Sequence, residues 1–438
     1  MHATRHTHEA FAGYRHGIRD NLAQFLHQLT QVFLVGLTLG MLRTVVPALA
    51  EAEFGVPRGS FLLLMAFVVA FGFVKGALNF VAGRLSERLG RKTVLLLGWA
   101  SAIPIPFMIL YAPSWGWIVA ATVLLGINQG FTWSMTQTAK LDITRADQRG
   151  LTMGLNEFSG YVGVAVAGII TGYLATALGP RTGLFVFGAV VIVAALVLTA
   201  LWVKETLPWA HAEGARHAAG KQTGPKPRYP MNISTHPTTW EIFTLMSWRD
   251  RRMAALSQAG LVEKFVDALI WVVYPVFLYE RGLGLAAIGW VVGVYGFVWG
   301  GSQFFTGKLS DHVGRRKPIV WGMWLCGAGV AKMLMGDQVW WWVVSAAVTG
   351  FGMALLYPNL SAAVADIAHP NWRGSAIGIY RFWRDLGYGI GALLLGAVAQ
   401  LSGNLSSGPW FVAIAMFLSG LAVWWWCEET HPRLNPAN

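Results

Sequence analysis

Residues 83–92 read Gly-Arg-Leu-Ser-Glu-Arg-Leu-Gly-Arg-Lys, and residues 307–316 read Gly-Lys-Leu-Ser-Asp-His-Val-Gly-Arg-Arg. These two segments, which we call the signature loops, lie 224 residues apart. Three dipeptides repeat at the same offset, namely Asp142-Ile143 with Asp366-Ile367, Arg149-Gly150 with Arg373-Gly374, and Glu205-Thr206 with Glu429-Thr430. The chain is therefore an internal duplication, and each half carries one signature loop.

Long apolar runs flank both signature loops. The 438 residues are 55% hydrophobic and only 12% charged, whereas a soluble domain has about 25% charged residues. A soluble fold could not cover so much apolar surface, so the composition excludes a soluble enzyme. A membrane-spanning helix needs about 20 apolar residues, and twelve runs meet that requirement. The predicted spans are 28–50, 60–82, 93–112, 116–139, 151–178, 182–203, 254–280, 286–306, 318–336, 339–365, 374–400 and 409–427.

The longest polar connection, residues 204–252, separates six spans from six. We therefore predict an all-α membrane protein with twelve transmembrane helices in two six-helix bundles. The predicted domains are residues 1–203, a cytoplasmic linker at 204–252, and residues 253–438. The linker holds a Gly/Pro/Lys stretch at 220–227 and ends in Thr238-Thr239-Trp240-Glu241, which has capping-box spacing. That spacing predicts a short amphipathic helix on the inner membrane surface.

Basic residues fix the predicted orientation. Most of the 33 Lys and Arg residues fall in the termini, the linker and the loops on the same side of the membrane. By the positive-inside rule both termini are cytoplasmic, and the protein spans the cytoplasmic (inner) membrane many times. This topology also explains the net charge of +12. No basic module interleaved with aromatic residues occurs, so nucleic acid is not predicted as a partner.

The signature loops resemble the signature of the major facilitator superfamily, which occurs after the second and eighth helices. Residues 380–388, Tyr-Arg-Phe-Trp-Arg-Asp-Leu-Gly-Tyr, also resemble a run in bacterial members that lack an assigned substrate. The resemblance covers essentially the whole chain. It implies a gating role for the signature loops, which would latch the cytoplasmic side. The loops' acidic residue can face a helix N-terminus. The residues to which this role carries over are Gly83, Glu87, Arg88, Gly90, Arg91, Gly307, Asp311, Gly314 and Arg315.

This sequence departs from the family pattern in places. Glu87 stands where Asp is usual, and His312 stands where Arg is usual. The alternative is that the loops only enforce topology. Gly126 stands where many proton-coupled members have Arg, and the fifth span lacks a Gly-Pro pair. The last two departures, at Gly126 and in the fifth span, argue against a standard drug–proton antiporter.

Charged residues inside the spans mark the candidate substrate and coupling site. A parallel repeat places that site between the two bundles near mid-membrane, and each charge there needs a partner or a role. The candidates are Arg43, Lys75, Asn156, Glu157, Glu263, Asp267, Arg381, Arg384 and Asp385, with Lys264 as a further intramembrane charge. Arg381, Arg384, Asp385 and Tyr388 have i, i+3, i+4, i+7 spacing, so they share one helix face. Arg381 and Asp385 are spaced to pair within the helix.

Two roles stay open for these charges. A carboxyl group shielded from water can exchange protons near neutral pH, which makes Asp267 and Glu157 candidate proton carriers. The alternative is a fixed ion pair with Lys264, Lys75 or an arginine. Arginine offers a planar fork for carboxylate or phosphate, so the basic residues favour an anionic or zwitterionic substrate, with structural pairing again the alternative.

We therefore expect a secondary transporter, a symporter or antiporter, which moves a small molecule by alternating access in the lipid bilayer and is coupled to protons or another ion. We expect a monomer with no enzymatic activity, no cofactor and no resident metal. One alternative is a metal-cation transporter, since Glu157, Asp267 and Asp385 offer hard oxygen ligands. The other is a non-transporting sensor or assembly factor, because fold does not fix function.

Overall fold

The structure, a computed structural model, describes residues 13–55, 61–218 and 237–434, without the side chains of 42–52, 61–68, 271, 272, 285 and 286. The side chain of Arg43 is therefore not among the described side chains. The Gly/Pro/Lys stretch of the linker lies outside the described residues.

The first half is built from helices that run back and forth. They are α1 (Leu22–Phe54), α2 (Phe61–Leu89), α3 (Arg91–Ala102), α4 (Pro104–Leu110), α5 (Trp115–Ile143), α6 (Arg149–Leu178) and α7 (Pro180–Leu201). Together α3 and α4 form the third span, which is interrupted at Ile103 because Pro104 lacks the N–H that would continue the helical ladder.

The linker and the second half follow. The linker carries α8 (Leu207–Ala218) and α9 (Thr239–Thr244), and the second half consists of α10 (Arg251–Ala268), α11 (Tyr274–Glu280), α12 (Leu285–Val313), α13 (Arg316–Met333), α14 (Val339–Ile367), α15 (Arg373–Ser402) and α16 (Ser407–Trp426). A π-helical segment, Leu269–Val273, joins α10 to α11 within the seventh span. Such a bulge shifts the register of a helix and often occurs near functional residues.

The twelve predicted spans all correspond to helices, and the all-α membrane fold is confirmed. Eight helices in the described part of the chain are long and apolar enough to cross a membrane by length and composition alone. Apolar runs form helices in lipid because each backbone N–H and C=O must be bonded within the segment. The predicted ends differ by several residues, as at α1, which begins at Leu22 rather than 28. Polar residues extend this helix because they have partners there, as Gln24 does at the Trp202 carbonyl, 2.8 Å away.

Two extensive helix contacts join the halves. Helix α2 packs along α15, and α6 packs along α12, so the duplication produces two equivalent interfaces. Glycines bring these backbones together. A Cβ added at Gly83 would lie 2.6 Å from the Gly374 carbonyl oxygen, and one at Gly307 would lie 2.4 Å from that of Gly150. Larger residues would therefore force the two halves apart at these points.

The linker is more structured than the sequence indicated. The predicted capping box is confirmed, since the Glu241 N–H donates to Thr238 Oγ1 at 3.2 Å and the Thr238 N–H donates to the Glu241 carboxylate at 2.6 Å. Helix α8 was not predicted, because the segment was interpreted as an irregular linker. The domain boundaries at 203 and 252 remain predictions.

Candidate functional site

The acidic residues of the signature loops cap helices of the opposite half. Glu87, at the end of α2, accepts a hydrogen bond from the Ser375 N–H in the first turn of α15, at 2.7 Å. Asp311, at the end of α12, accepts from the N–H groups of Gly150 and Leu151 in the first turn of α6, at 2.9 and 2.8 Å. A carboxylate at a helix N-terminus satisfies free N–H groups and complements the helix dipole. The two loops thus join the halves by the same contact, made twice.

The basic residues of the loops pair with acidic residues of their own half. Arg91 Nε lies 2.9 Å from Asp142 Oδ2 at the end of α5, and Arg315 Nε lies 3.0 Å from Asp366 Oδ2 at the end of α14. Arg315 also reaches Asp311 at 2.7 Å. The predicted gating residue Arg88, in contrast, is exposed at the end of α2. The side chains of Arg91, Asp142, Arg315 and Asp366 are buried and form the core of a charge network.

The second glycine of each loop adopts a conformation that favours glycine. Gly90 has φ +88° and Gly314 has φ +92°, which lies outside the regions that other residues adopt freely. A Cβ at Gly90 would lie 2.2 Å from the Glu205 carboxylate. This carboxylate accepts hydrogen bonds from the backbone N–H groups of Arg91 and Lys92, at 2.8 and 3.0 Å. The repeated Glu429 accepts equivalent bonds in the second half. These glutamates hold each loop against the end of its own bundle.

Two arginines extend the network between the halves. Arg149 Nη1 lies 2.9 Å from Asp366 Oδ1, and Arg373 Nη1 lies 3.9 Å from Asp142 Oδ1. Glu213 of α8 contacts both arginines, at 3.0 Å from Arg149 Nη2 and 2.8 Å from Arg373 Nη1. Burial raises the pKa of the Glu213 carboxyl, but the charges of Arg373 and Arg149 outweigh that effect and lower its pKa to about 2.

Within the membrane, a polar cluster lies between α2 and α15. Asp385 Oδ2 accepts a hydrogen bond from Asn79 Nδ2 at 2.7 Å and lies 3.6 Å from Lys75 Nζ. The predicted pair Arg381 and Asp385 has an N–O distance of 3.7 Å, and Arg384 Nε lies 3.3 Å from Asp385. Asp385 thus has three basic neighbours, one of which comes from the other half.

A second cluster is centred on Lys264 in α10. Its Nζ lies 2.7 Å from Asp267 Oδ2, 4.0 Å from Glu263 Oε1, and within hydrogen-bond reach of the Tyr357 hydroxyl. The other oxygen of Asp267 accepts a hydrogen bond from the Tyr295 hydroxyl at 2.7 Å. Asp267 therefore forms an ion pair with Lys264, one of the partners that the sequence left open.

Glu157 in α6 forms a third cluster. Its Oε1 accepts hydrogen bonds from Trp133 Nε1 at 3.0 Å, Gln137 Nε2 at 2.5 Å and Asn156 Nδ2 at 2.8 Å. All three donors belong to the same half as Glu157. Its Oε2 is buried and has no hydrogen-bond partner among the described residues.

Aromatic rings connect these clusters across the centre of the molecule. The ring of Tyr161 lies 5.8 Å from that of Trp133 in its own half and 4.2 Å from that of Trp299 in the other half. The ring of Tyr388 lies 6.0 Å from Lys75 Nζ and 4.7 Å from Lys264 Nζ. The polar groups of both halves therefore converge on one central region enclosed by aromatic rings.

Several polar atoms in this region have no hydrogen-bond partner among the described residues. They are Arg381 Nη1 and Nη2, Arg384 Nη1, and both carboxyl oxygens of Glu263. Their side chains are at most 1% exposed. A buried polar group without a partner costs free energy, so such groups are retained where a ligand or proton completes them.

Sequence reasoning found the charged members of these clusters and Asn156, but it missed other uncharged members. Asn79, Tyr295 and Tyr357 bind the charged groups directly. A single Asn or Tyr in an apolar span gives no periodic signal that separates it from ordinary packing. For the metal-cation alternative, the described residues contain no group of three or more His, Cys, Asp or Glu placed to hold a metal ion.

Comparison with known proteins gives consistent matches along the chain. The profile of the Major Facilitator Superfamily matches residues 29–261 and 256–438. An uncharacterized MFS-type transporter of Salmonella typhimurium is 25% identical over 419 residues, which cover 92% of this chain and 94% of that protein. The multidrug resistance protein MdtH of Yersinia enterocolitica is 30% identical over 154 residues, which cover only 32% of this chain and 38% of that protein.

Solved structures share the fold. The human organic anion transporter MFSD10 superposes with a TM-score of 0.75 at 17% identity, covering 92% of this chain and 99% of that chain. The proton:xylose symporter XylE superposes with a TM-score of 0.73 at 16% identity, covering 94% and 98%. At such low identity these similarities establish the architecture alone.

Proposed function

The chain belongs to the Major Facilitator Superfamily, a family of membrane transporters, and we propose that it moves a small anionic or zwitterionic solute across the cytoplasmic membrane by alternating access. In this proposal the transport is secondary and is coupled to protons or another ion. Both termini and the linker face the cytoplasm, and the working unit is a monomer.

The signature loops support the gating part of the proposal. Glu87 and Asp311 cap helices of the opposite half, and Arg149 pairs with Asp366 across the interface. In this proposal these contacts close the cytoplasmic ends of the bundles. Burying charged groups costs hydration, and water that enters between the parted ends restores it. The two bundles can therefore part at this end while each stays folded.

The two arginines of α15 carry the substrate part of the proposal. Three of their N–H-bearing nitrogens, on Arg381 and Arg384, are buried without a hydrogen-bond partner among the described residues. The guanidinium fork matches a carboxylate or phosphate in geometry and charge. Asp385 neutralises only part of the surrounding positive charge, since Lys75 also lies 3.6 Å from it. An anionic group of the substrate would complete the charge balance.

The coupling part of the proposal rests on the carboxyl groups. Both oxygens of Asp267 have close partners, whereas Glu157 Oε2 and both oxygens of Glu263 have no hydrogen-bond partner in the described part of the chain. A carboxyl group buried without donors costs least when it carries a proton. We therefore assign proton exchange to Glu263 and to Glu157 through its Oε2, and assign Asp267 to the ion pair with Lys264.

Ligand-induced thermal stabilisation of the purified protein tests the substrate class. The panel contains monocarboxylates, dicarboxylates, amino acids, organic phosphates, uncharged sugars and organic cations. The proposal predicts that at least one anionic or zwitterionic compound raises the melting temperature and that Arg384→Ala abolishes this effect. Stabilisation by sugars or cations alone would contradict the proposed substrate class.

A further inference from the structure

Helix α8 lies under the interface between the two halves, where the sequence predicted only an irregular linker. It packs against α5 of the first half and against the turn Pro370–Trp372 of the second half. Gly214 shows how close the second contact is, since a Cβ added there would lie 2.3 Å from Asn371 Oδ1. The helix therefore contacts both halves at their cytoplasmic ends.

The amino-terminal segment holds α8 on the first half. The indole of Trp209 donates to the Arg15 carbonyl at 3.1 Å, and the Arg216 guanidinium donates to the Tyr14 carbonyl at 3.2 Å. This segment is bound to the end of α5, because the Gly17 N–H donates to the Ile143 carbonyl at 2.9 Å. The attachment of α8 to the first half is thus independent of its contacts with the second.

Glu213 is the charged contact between α8 and the second half. Its carboxylate is 5% exposed and lies 3.0 Å from Arg149 and 2.8 Å from Arg373, which begin the equivalent helices α6 and α15. Arg149 already has Asp366 at 2.9 Å, but Arg373 is 3.9 Å from its equivalent partner Asp142. Glu213 therefore supplies the close partner that Arg373 lacks in the duplicated network.

We propose that Glu213 is a gating residue carried by the linker, and that its contact with Arg373 holds the cytoplasmic side closed and must break before that side opens. The inference rests on the proposed alternating access. It adds a third element to a gate that the two signature loops alone would form. Because α8 stays attached to the first half, opening separates Glu213 from Arg373 rather than from Arg149.

Spin-label distances test this directly without a known substrate. Labels are attached through a keto amino acid at Leu89 and Val313, which are exposed at the ends of α2 and α12. The buried cysteines Cys326 and Cys427 are replaced by alanine. Removing one partner of a buried ion pair is strongly destabilising, so Glu213→Gln should destabilise the closed state. The ratio of long to short distances between the two labels should then rise about tenfold or more. Glu241→Gln, the same change within the same linker, should leave the ratio unchanged.

A disulfide that holds the gate closed provides the converse test. This test does not require the Glu213→Gln variant to fold. The double variant Gly214→Cys with Asn371→Cys removes the Asn371 side-chain oxygen, which lies closest to a Cβ at position 214. The two side chains start close enough to each other for a disulfide to form. Oxidation should suppress the long-distance component, and reduction should restore it. Joining Ser86→Cys to Gly374→Cys, which ties the halves directly, should have the same effect.

One combination of results would overturn the inference. The ratio of long to short distances would be unchanged by Glu213→Gln and by oxidation of the 214–371 cysteine pair, whereas Asp311→Asn would raise it. In that case the signature loops form the gate without α8, and alternating access stands. If Asp311→Asn and oxidation of the 86–374 pair also have no effect, the gate itself fails, and the proposed mechanism fails with this inference.

Discussion

Arg149 and Asp366 lie 2.9 Å apart although they belong to different halves, whereas their repeat equivalents Arg373 and Asp142 lie 3.9 Å apart. The duplicated sequence gives both interfaces the same charges. Glu213 of the linker lies close to both arginines, at 3.0 Å from Arg149 and 2.8 Å from Arg373. It is the closest acidic partner of Arg373, whereas Arg149 also has Asp366 at 2.9 Å. A helix present once, between two copies of the same unit, thus joins a charge network that is itself asymmetric.

Gly83→Ala tests the close contact between α2 and α15. The new methyl group would meet the Gly374 carbonyl oxygen at 2.6 Å, so we expect a loss of about 1–3 kcal/mol, typical of overpacking, and a lower melting temperature. Gly172→Ala is the matched control, since nothing lies within 4 Å of a Cβ at this helical position. That variant should be neutral or slightly more stable. Equal melting temperatures for the two variants would contradict the close contact.

Arg384 distinguishes a guanidinium fork from a simple positive charge. Arg384→Lys keeps the charge but loses the planar pair of donors. The ligand is the anionic compound that stabilises the parent protein best, and its affinity is measured by isothermal titration calorimetry. We expect this affinity to fall roughly tenfold in Arg384→Lys and further in Arg384→Ala. Arg88→Lys, an exposed basic residue outside the site, serves as the control. Unchanged affinity in Arg384→Ala would assign this residue to structural pairing alone.

Two carboxyl substitutions separate coupling from structure. Glu157→Gln keeps the side-chain shape, so in proteoliposomes we expect loss of transport driven by a pH gradient while exchange of substrate at equal pH persists. Asp267→Asn leaves Lys264 buried without its closest anion, and we expect a loss of about 3–5 kcal/mol in stability. Gradient-driven transport by Glu157→Gln at the parent rate would remove this residue from coupling.

Acid should loosen the cluster of charged side chains around α8. Burial lowers the pKa of His16 from 6.5 to about 4, and the nearby Arg216 lowers it too, although Glu213 opposes both. The folded protein therefore disfavours the protonated ring, so the contribution of His16 to stability is complete above pH 6.5 and is lost as the pH falls toward 4, by about 3 kcal/mol. The lowered pKa of Glu213 acts at lower pH, between 4.5 and about 2, where protonation removes its ion pairs.

Melting temperature measured from pH 8 to pH 4 checks this expectation. The parent protein should lose stability between pH 6.5 and pH 4, and His16→Gln should flatten the dependence there. His27→Gln, which changes another histidine of the first half, should retain the dependence of the parent. A flat profile in the parent would contradict the burial of a neutral His16.

Hydropathy and the repeat were sufficient to predict the fold. Each span needs its own backbone hydrogen bonds in lipid, so apolar run length determines helix number almost independently of tertiary contacts. The charges on α15 were also predictable, because helical spacing alone brings Arg381 to Asp385. The equivalence of Glu87 and Asp311 followed from the constant offset, and both cap a helix of the opposite half.

The remaining contacts depend on tertiary structure. Helix α8 is short and polar, and it is stabilised mainly by its docking beneath both halves, as short helices generally are. Glu213 therefore gave no signal that distinguishes it from a solvated linker residue. Asn79 and Tyr295 contact charges from other helices, and no spacing within one helix could predict those partners. Hydropathy also could not predict the π-helical segment Leu269–Val273.

The most direct test of alternating access compares distances at the two ends of the molecule in one sample. One label pair is placed at Leu89 and Val313, and a second pair at Tyr111 and Met335, which are exposed at the opposite ends of their bundles. Both pairs are measured by double electron–electron resonance in lipid nanodiscs, in the parent protein and in Asp311→Asn. The account predicts that the variant lengthens the first distance and shortens the second. A change at one end alone, or at neither end, would contradict it.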